Sequence, residues 1–323
     1  MDDFRVEDYR LMDIDGGIEY TKDDITIVIP TKEEEEAIGL VLDELFSYGF
    51  KRENILVVDA GSKDSTLDIV KSRRVNYVIQ NGRGKADAIL SAVKYVKTPY
   101  MLVMDGDYTY DPKYIDEMIK YVPDYVEVIG YRKYGSKLLG RLHRFGNWVL
   151  TKVFNLLFGT NLNDVCSGMY LVRTDIVKNL VGRARNFSIE AEIAAAASQE
   201  GNITEVPINF RERIGKRKLS TFKDGISILF NIILLSWWYN PIFVMFFLGS
   251  LLLIPGIGIA LWVLYEYLFL GIKHYVWGLI AVAGGTAGLI SFMLAILSLY
   301  IKRVERRIIA NLKDLERRLR EEE

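Results

Sequence analysis

Two carboxylates separated by one glycine, Asp105-Gly106-Asp107, follow the apolar run Tyr100–Met104 (YMLVM). Hard oxygen ligands at this spacing suit magnesium or manganese, which bridge phosphate oxygens and neutralise the charge that a departing phosphate gains. The glycine is expected to let the backbone turn tightly, so that both side chains enter one cleft. Plain surface turns carry the same three letters; a place at the end of a buried strand separates the two readings. A second cluster, Asp59-Ala60-Gly61-Ser62-Lys63-Asp64-Ser65, also closes an apolar run, and its carboxylate can accept hydrogen bonds from a base or a ribose. The structural reading of that cluster is helix capping by Ser62 or Asp64, worth about 1 kcal/mol. A third, Glu33–Glu36, lies at a helix start, where the dipole alone favours acid.

The elements that must position these residues alternate along the chain. Ile25–Pro30 (ITIVIP), Asn54–Asp59 (NILVVD), Val75–Ile79 and Tyr100–Met104 read as short buried strands. Between them, Glu34–Tyr48 has Ile38, Val41, Leu42 and Leu45 at helical spacing, and Ser65–Ser72 and Ala86–Val96 also read as helices. Strands alternating with helices predict an α/β domain, a mostly parallel sheet with helices on both faces. Ligands bind such sheets beyond the carboxyl ends of the strands. Thr31–Glu34, Asp59–Asp64 and Asp105–Asp107 all fall there, so three strand ends are expected to share one pocket.

Composition bounds the rest. Of 323 residues 26% are charged, yet none lies between Pro241 and Tyr265 or between Tyr275 and Tyr300. Each stretch exceeds the roughly 20 residues that a helix needs to cross hydrocarbon. A soluble domain joined to a two-helix membrane hairpin is the expected organisation. A net charge of −1 argues against a nucleic-acid partner, and the single cysteine, Cys166, excludes an internal disulfide framework. The acidic first residues lack an apolar h-region, so no cleaved signal is expected and the N-terminal domain should stay where it is made. Basic residues crowd both flanks of the hairpin, Arg211 to Lys223 before it and Lys302 to Arg307 after it, whereas its linker has Lys273 alone. Positive-inside logic therefore places the catalytic domain and the C-terminus in the cytoplasm. Leu138–Phe158 and Ile226–Trp238 mix aromatic and apolar residues in a way that suits either a headgroup layer or ordinary packing on the sheet. After the second span, Val304, Ile308, Leu312, Leu315 and Leu319 form an apolar stripe on a charged helix. This stripe and the glycine-bearing spans favour a homo-oligomer.

Motifs in a fixed order extend this reading. Val28–Glu34 (VIPTKEE), Val57–Thr66 (VVDAGSKDST), Gly82–Ala86 (GRGKA), Met104–Asp107 (MDGD), Ile129–Arg132 (IGYR), Asp164–Leu171 (DVCSGMYL) and Glu205–Phe210 (EVPINF) succeed one another, followed by Arg213 and Lys218-Leu219. Together they resemble family 2 glycosyltransferases of the GT-A fold, in particular the polyprenyl-phosphate (dolichyl-phosphate) glucosyl- and mannosyltransferase branch. The resemblance runs from about Ile25 to Gly225. With the charge-free stretches and the patterning around them, the expected domains are 25–225 (catalytic), 226–240 (interfacial), a transmembrane hairpin at 241–300 (spans 241–265 and 275–300) and 301–323 (cytoplasmic helix), after an acidic extension at 1–24. The resemblance also implies inverting transfer of a hexose from a nucleotide sugar, of the UDP-glucose or GDP-mannose type, to a polyprenyl or dolichyl monophosphate.

Site roles follow from the same resemblance. Pro30, Thr31, Glu34, Asp59, Gly61, Ser62, Lys85 and Asp105 would hold the donor. Asp105 and Asp107 would hold Mg2+ or Mn2+, with Asp107 the principal ligand. Arg132 and Arg213 would act with them in catalysis. Arg132, Arg144, Ser167 and Lys218 would receive the acceptor phosphate, a planar guanidinium being well matched to its oxygens. Thr109 stands where relatives often have a metal-binding glutamine, and Arg217 where many have serine. Three other readings compete. A processive polysaccharide synthase would need a Q-x-x-R-W motif, which none of the tryptophans provides. Transfer to a protein or glycan hydroxyl would need a carboxylate base, for which Glu190, Glu192 or Asp164 would serve. A non-catalytic scaffold would bind neither metal nor nucleotide.

Overall fold

The computed structural model describes residues 20–122, 124–134, 140–181, 189–215 and 221–321. Two compact units divide the chain, Met1–Ile232 and Ile233–Glu323.

The first unit is built on a seven-stranded sheet. Strand β1 (Ile25–Thr31) is followed by helix α1 (Ile38–Ser47), then β2 (Ile55–Asp59), α2 (Thr66–Ser72), β3 (Asn76–Ile79), α3 (Gly84–Ala92) and β4 (Tyr100–Val103). After β4 come α4 (Ile115–Ile119), β5 (Glu127–Tyr134), α5 (Arg141–Phe158), β6 (Tyr170–Arg173), α6 (Thr174–Leu180), α7 (Ile189–Glu200) and β7 (Ile203–Asn209). The strand order is β3-β2-β1-β4-β6-β5-β7. Pairs β1–β2, β1–β4, β2–β3 and β5–β7 are parallel; β6 runs antiparallel to both β4 and β5. The expected mostly parallel sheet is present, with one reversed strand inside it.

That reversal decides where the loops go. Because Thr31 is paired with Asp59 and Val103 with Tyr170, the carboxyl ends of β1 and β2 share an edge with the amino end of β6. Running antiparallel to β6, β5 brings Arg132 to the same edge, and parallel β7 follows it with Ile208 beside Arg132. Loops from all of these strands therefore meet at one end.

Local sequence explains most of the elements. Strands β1 and β2 are buried along nearly their whole length, as β-branched runs covered on both faces must be. In α1 the buried residues are Ile38, Val41, Leu42 and Leu45, the stripe read from their spacing. The helix begins at Ile38 rather than at Glu34, since Glu33 adopts a left-handed backbone (φ 51°) and the Glu34 amide donates to Thr66 Oγ1 at 2.9 Å. The residues before α1 thus belong to the loop edge. Helix α5 buries Leu150, Phe154 and Leu157 while leaving Phe145, Trp148 and Leu156 exposed. It packs on the sheet domain by one face and presents aromatics on the other.

Helix α8 (Thr221–Tyr239) carries the chain across the division between the units. In the second unit, α9 (Pro241–Tyr265) continues through a π-helical turn at Glu266–Leu270 and reverses at Gly271 (φ 69°). Helix α10 (Tyr275–Glu321) then runs unbroken through the second apolar stretch and the charged tail, which had been read as separate segments. Pro241–Leu270 and Tyr275–Ile301 are each long and apolar enough to cross a membrane, and only 11% and 17% of their most apolar windows are buried. Such exposure is unlike that of a core helix in a soluble protein. The two helices meet through backbone-scale contacts: a Cβ on Gly288 would lie 2.7 Å from the Leu253 Cβ and 2.8 Å from its nitrogen. Ser291 Oγ donates to the Met245 carbonyl at 2.7 Å, tying the helices by a polar bond as well.

Two predictions follow from this packing. In Gly288→Leu the hairpin must open, so disulfide formation between cysteines introduced at Met245 and Ser291 should fall sharply against the glycine parent. In the sheet, Glu127 is 1% exposed and its Oε2 has no hydrogen-bond partner among the described residues; burial pushes its carboxyl from 4.5 up to about 8. The folded state thus holds this proton more tightly than the unfolded chain does. Glu127's contribution is most favourable below pH 4.5 and is lost progressively as the pH rises towards about 8. Thermal unfolding in detergent at pH 5 and pH 8 should show Glu127→Gln gaining stability over the parent at the higher pH, by on the order of a few kcal/mol, with little difference at the lower.

Candidate active site

The first two loops at the shared edge are zipped together by polar contacts. The Glu33 amide donates to Ser62 Oγ at 2.8 Å, the Glu35 amide to Asp64 Oδ2 at 3.2 Å, and the Ser65 amide to Glu35 Oε2 at 3.0 Å. Asp59 is wholly buried, and its Oδ2 accepts from the amides of Gly61 and Ser62 at 2.8 Å each. Ser62 also donates its hydroxyl to Asp59 Oδ1. Asp59 therefore organises its own loop, with Gly61 in the left-handed conformation this turn requires (φ 74°). Pro30 and Thr31 end β1 beside it, Thr31 being 4% exposed.

The loop after β4 is pressed against β1. A Cβ on Gly106 would lie 2.9 Å from Thr31 Cγ2, so glycine is needed for close approach. This corrects the expected reason for it: Tyr108, not Gly106, takes the left-handed turn position (φ 68°). A non-glycine residue held there is a sign of a constrained loop. Asp107 is 9% exposed, and its Oδ1 accepts from the Thr109 amide at 3.2 Å and from the Thr109 hydroxyl. Thr109 thus holds a carboxylate in place.

Every carboxylate facing this edge is engaged. Arg213 reaches Glu34 Oε1 at 2.6 Å through Nη2 and Asp107 Oδ2 at 3.2 Å through Nη1. Lys85 sits between Asp105 Oδ1 at 2.6 Å and Glu190 Oε1 at 2.8 Å. Burial alone would lower Lys85, but the charges of Asp105 and Glu190 more than offset it and hold the ammonium above its usual range. Loss of surrounding water raises Asp105; Lys85 counters part of that rise and the nearby charge of Asp107 adds to it. Glu34–Arg213–Asp107 and Asp105–Lys85–Glu190 thus form two ion-paired triads, drawn from five segments and joined through the Asp105–Asp107 loop.

Further along the edge lies a cavity of about 270 Å3 lined by Arg144, Lys133, Arg132, Asn147, Trp148 and Asp164 among others. Arg132 lines this space, but its guanidinium is committed to Asp164. Its Nε and Nη2 donate to Asp164 at 2.6 and 2.7 Å, and Nη2 also donates to the Cys166 carbonyl at 3.1 Å. Both side chains of that pair are under 10% exposed, at 8% and 5%. Burial would raise Asp164, but the guanidinium beside it holds the carboxyl below its ordinary value. Arg132, expected on phosphate, is here one half of a buried ion pair. Arg144 is exposed and makes no ion pair among the described residues. Ser167 must be reassigned: it is 1% exposed and gives its hydroxyl to the Gly130 carbonyl, where the β5–β6 hydrogen bonding needs it. Lys218 lies outside the described residues.

Tyr110 joins the two regions and had not been singled out from sequence, where it is one aromatic among many. It is 3% exposed, accepts from the Gly168 amide at 2.7 Å, and burial lifts its phenol to about 12. The charges of Arg132, Asp105, Asp164 and Lys85 all act on it. Gly168 is forced by the same contact, since a Cβ there would overlap the Asp105 carboxylate.

A divalent cation is compatible with this donor set in one way only. Among the described residues no group of three His, Cys, Asp or Glu side chains is placed to hold a metal. Asp105 and Asp107 supply hard carboxylate oxygens, and the rest of the shell would have to come from phosphate and water, the usual arrangement for magnesium beside a nucleotide.

Known proteins bear on the site at this point. The profile of Glycosyl transferase family 2 matches residues 26–181. A Haloferax volcanii protein named Glycosyltransferase AglJ is 29% identical over 303 residues, 92% of this chain and 99% of that protein. A dolichyl-phosphate hexose transferase of the same organism is 31% identical over 213 residues, covering 65% of this chain and 92% of the relative. In structure, glucosyl-3-phosphoglycerate synthase from Mycobacterium tuberculosis, crystallised with Mn2+, UDP-glucose and phosphoglyceric acid, aligns over 67% of this chain and 79% of its own. The TM-score is 0.52 at 16% identity, a likeness of fold. Matched along nearly the whole of a relative with which it shares almost a third of its residues, the chain belongs to glycosyl transferase family 2 and carries that family's GT-A fold.

Proposed function

We propose that the protein transfers a hexose from a nucleotide sugar to a polyprenyl or dolichyl monophosphate, with inversion, at the cytoplasmic face of a membrane. One observation carries the acceptor class. Of the three carboxylates suited to act as a base, Asp164 is held by Arg132, Glu190 by Lys85, and Glu192 is only 2% exposed. None of the three presents an open carboxylate to a neutral hydroxyl. A phosphate monoester needs none, because its oxygen is already anionic at neutral pH.

Chemistry then reduces to alignment and charge. An acceptor phosphate oxygen forms the new bond to the anomeric carbon while the bond to the donor's diphosphate breaks, and the nucleoside diphosphate leaves with the electron pair. Mg2+ or Mn2+ held by Asp105 and Asp107 would neutralise the charge developing on that leaving group. Glu34, Asp59, Gly61 and Ser62 form the wall that faces the nucleoside, beside Pro30 and Thr31. Arg213, already in the site, is placed to turn its guanidinium to the diphosphate. Arg144 is the cation of the neighbouring cavity with a head free for the acceptor phosphate, and Arg132 keeps the wall of that cavity rigid through Asp164. Holding both reactants in line is worth several powers of ten in rate on its own.

A membrane-borne acceptor agrees with the two apolar helices and with the exposed aromatics of α5. The basic flanks of the hairpin support a cytoplasmic catalytic unit and C-terminal helix. The relative named as a dolichyl-phosphate hexose transferase supports the same acceptor class.

Membranes containing the protein, supplied with labelled UDP- and GDP-sugars and a short polyprenyl monophosphate, should form a lipid-linked sugar. Asp107→Ala should lower that rate by roughly a hundredfold or more without unfolding the protein; near-normal transfer by this variant would remove the metal assignment. Arg144→Ala should raise KM for the polyprenyl phosphate roughly ten- to hundredfold, the loss of a charge-assisted hydrogen bond, while nucleotide binding stays unchanged. Efficient transfer to a neutral glycan, with none to the lipid phosphate, would overturn the proposed acceptor.

A further inference from the structure

The two carboxylates that would ligate a divalent cation are each held by a side-chain cation of the protein itself. Lys85 lies 2.6 Å from Asp105 Oδ1, and Arg213 lies 3.2 Å from Asp107 Oδ2. An incoming metal must displace these charges or bind against their repulsion. At separations of 3–4 Å in a partly enclosed site, such repulsion is comparable with the attraction that two carboxylates offer. Metal alone is therefore a poor competitor.

A diphosphate changes the balance in two ways. It brings oxygen ligands for the metal, and it offers Lys85 and Arg213 another anion. Arg213 is prepared for that exchange: its Nε is buried and has no hydrogen-bond acceptor among the described residues, although Nη1 and Nη2 are both paired. A buried guanidinium nitrogen without an acceptor is costly unless an anionic oxygen comes to meet it. Lys85 is shared with Glu190 at 2.8 Å, so that Asp105 holds only part of the ammonium's charge.

We propose that Lys85 and Arg213 are internal counter-ions standing in for the divalent cation until a nucleoside diphosphate arrives, so that metal and nucleotide bind as a coupled pair. This rests on the reading of the strand-tip site as one for a metal and a nucleotide sugar. Lys85 is a positioning residue in this scheme, acting through Asp105. Because coupling between two ligands is reciprocal, manganese must tighten nucleotide binding by the factor that nucleotide tightens manganese.

The test is Mn2+ binding to the full chain in detergent micelles, followed by calorimetry and by the electron paramagnetic resonance of free Mn2+, alone and with UDP or GDP. The parent protein should bind Mn2+ at least about tenfold more tightly with one of these nucleotides than without. Lys85→Met should bind Mn2+ alone roughly tenfold more tightly than the parent, with a smaller gain on adding nucleotide, and Lys85→Arg should behave as the parent does. Glu190→Gln should move the other way, because Lys85 is then left to Asp105 alone and Mn2+ by itself binds more weakly. The opposite signs separate counter-ion release from general loosening of the fold. Unchanged Mn2+ affinity in Lys85→Met, or a parent that binds Mn2+ equally well without nucleotide, overturns the inference while the metal and nucleotide site stands. A parent that binds no Mn2+ with either nucleotide removes both.

Discussion

Charge brought to a half-enclosed sheet edge must be compensated where it lies, because water reaches it too poorly to screen it. Glu34, Asp105, Asp107, Asp164 and Glu190 all meet this condition, and Lys85, Arg132 and Arg213 answer it. The pairs differ in kind. Arg132 and Asp164 are deep, doubly hydrogen-bonded and closed to exchange, so they act as part of the wall. Arg213 and Lys85 each bridge two carboxylates from different loops, an arrangement that an arriving polyanion can reorganise. The same rule that stabilises this edge favours ligands that carry negative charge, and cations that come with them.

Sheet topology is what gathers these groups. Strand β6 runs against its neighbours, and this reversal places the Asp164–Gly168 segment at the same end as the tips of β1, β2 and β4. The segment after β7 then closes over the site, its Arg211 amide donating to the Thr109 carbonyl at 2.9 Å and its Ile214 amide to that of Asp107 at 3.2 Å. Arg211 itself leaves the edge to join Glu44 and Asp111, both at 2.8 Å. Arg213, two residues on, remains inside.

The second unit obeys a different physics. Its helices hold together by backbone proximity at Gly249, Gly256 and Gly288 and by the Ser291 bond to Met245, with large apolar side chains left outside. In hydrocarbon such outward side chains would be solvated by lipid, and close packing with polar contacts would provide the specificity that burial provides in water.

From the sequence alone, the order of strands and helices, the apolar spans and the strand-end positions of Asp59, Asp105 and Asp107 were legible. Each is written in local periodicity and in the polarity of adjacent residues. Family membership was legible too, from motifs whose order no single segment could supply. What tertiary structure decided were the partners. Lys85 meets Asp105 twenty residues away and Arg213 meets Glu34 across 179, and neither pairing leaves a mark in local pattern. Ser167 looked like a ligand-facing hydroxyl until the β5–β6 register turned it to Gly130, and Gly106 proved necessary for its closeness to Thr31 rather than for its backbone angle. Side-chain chemistry is a property of residues, but which charge faces which is fixed only when distant strands are brought into register.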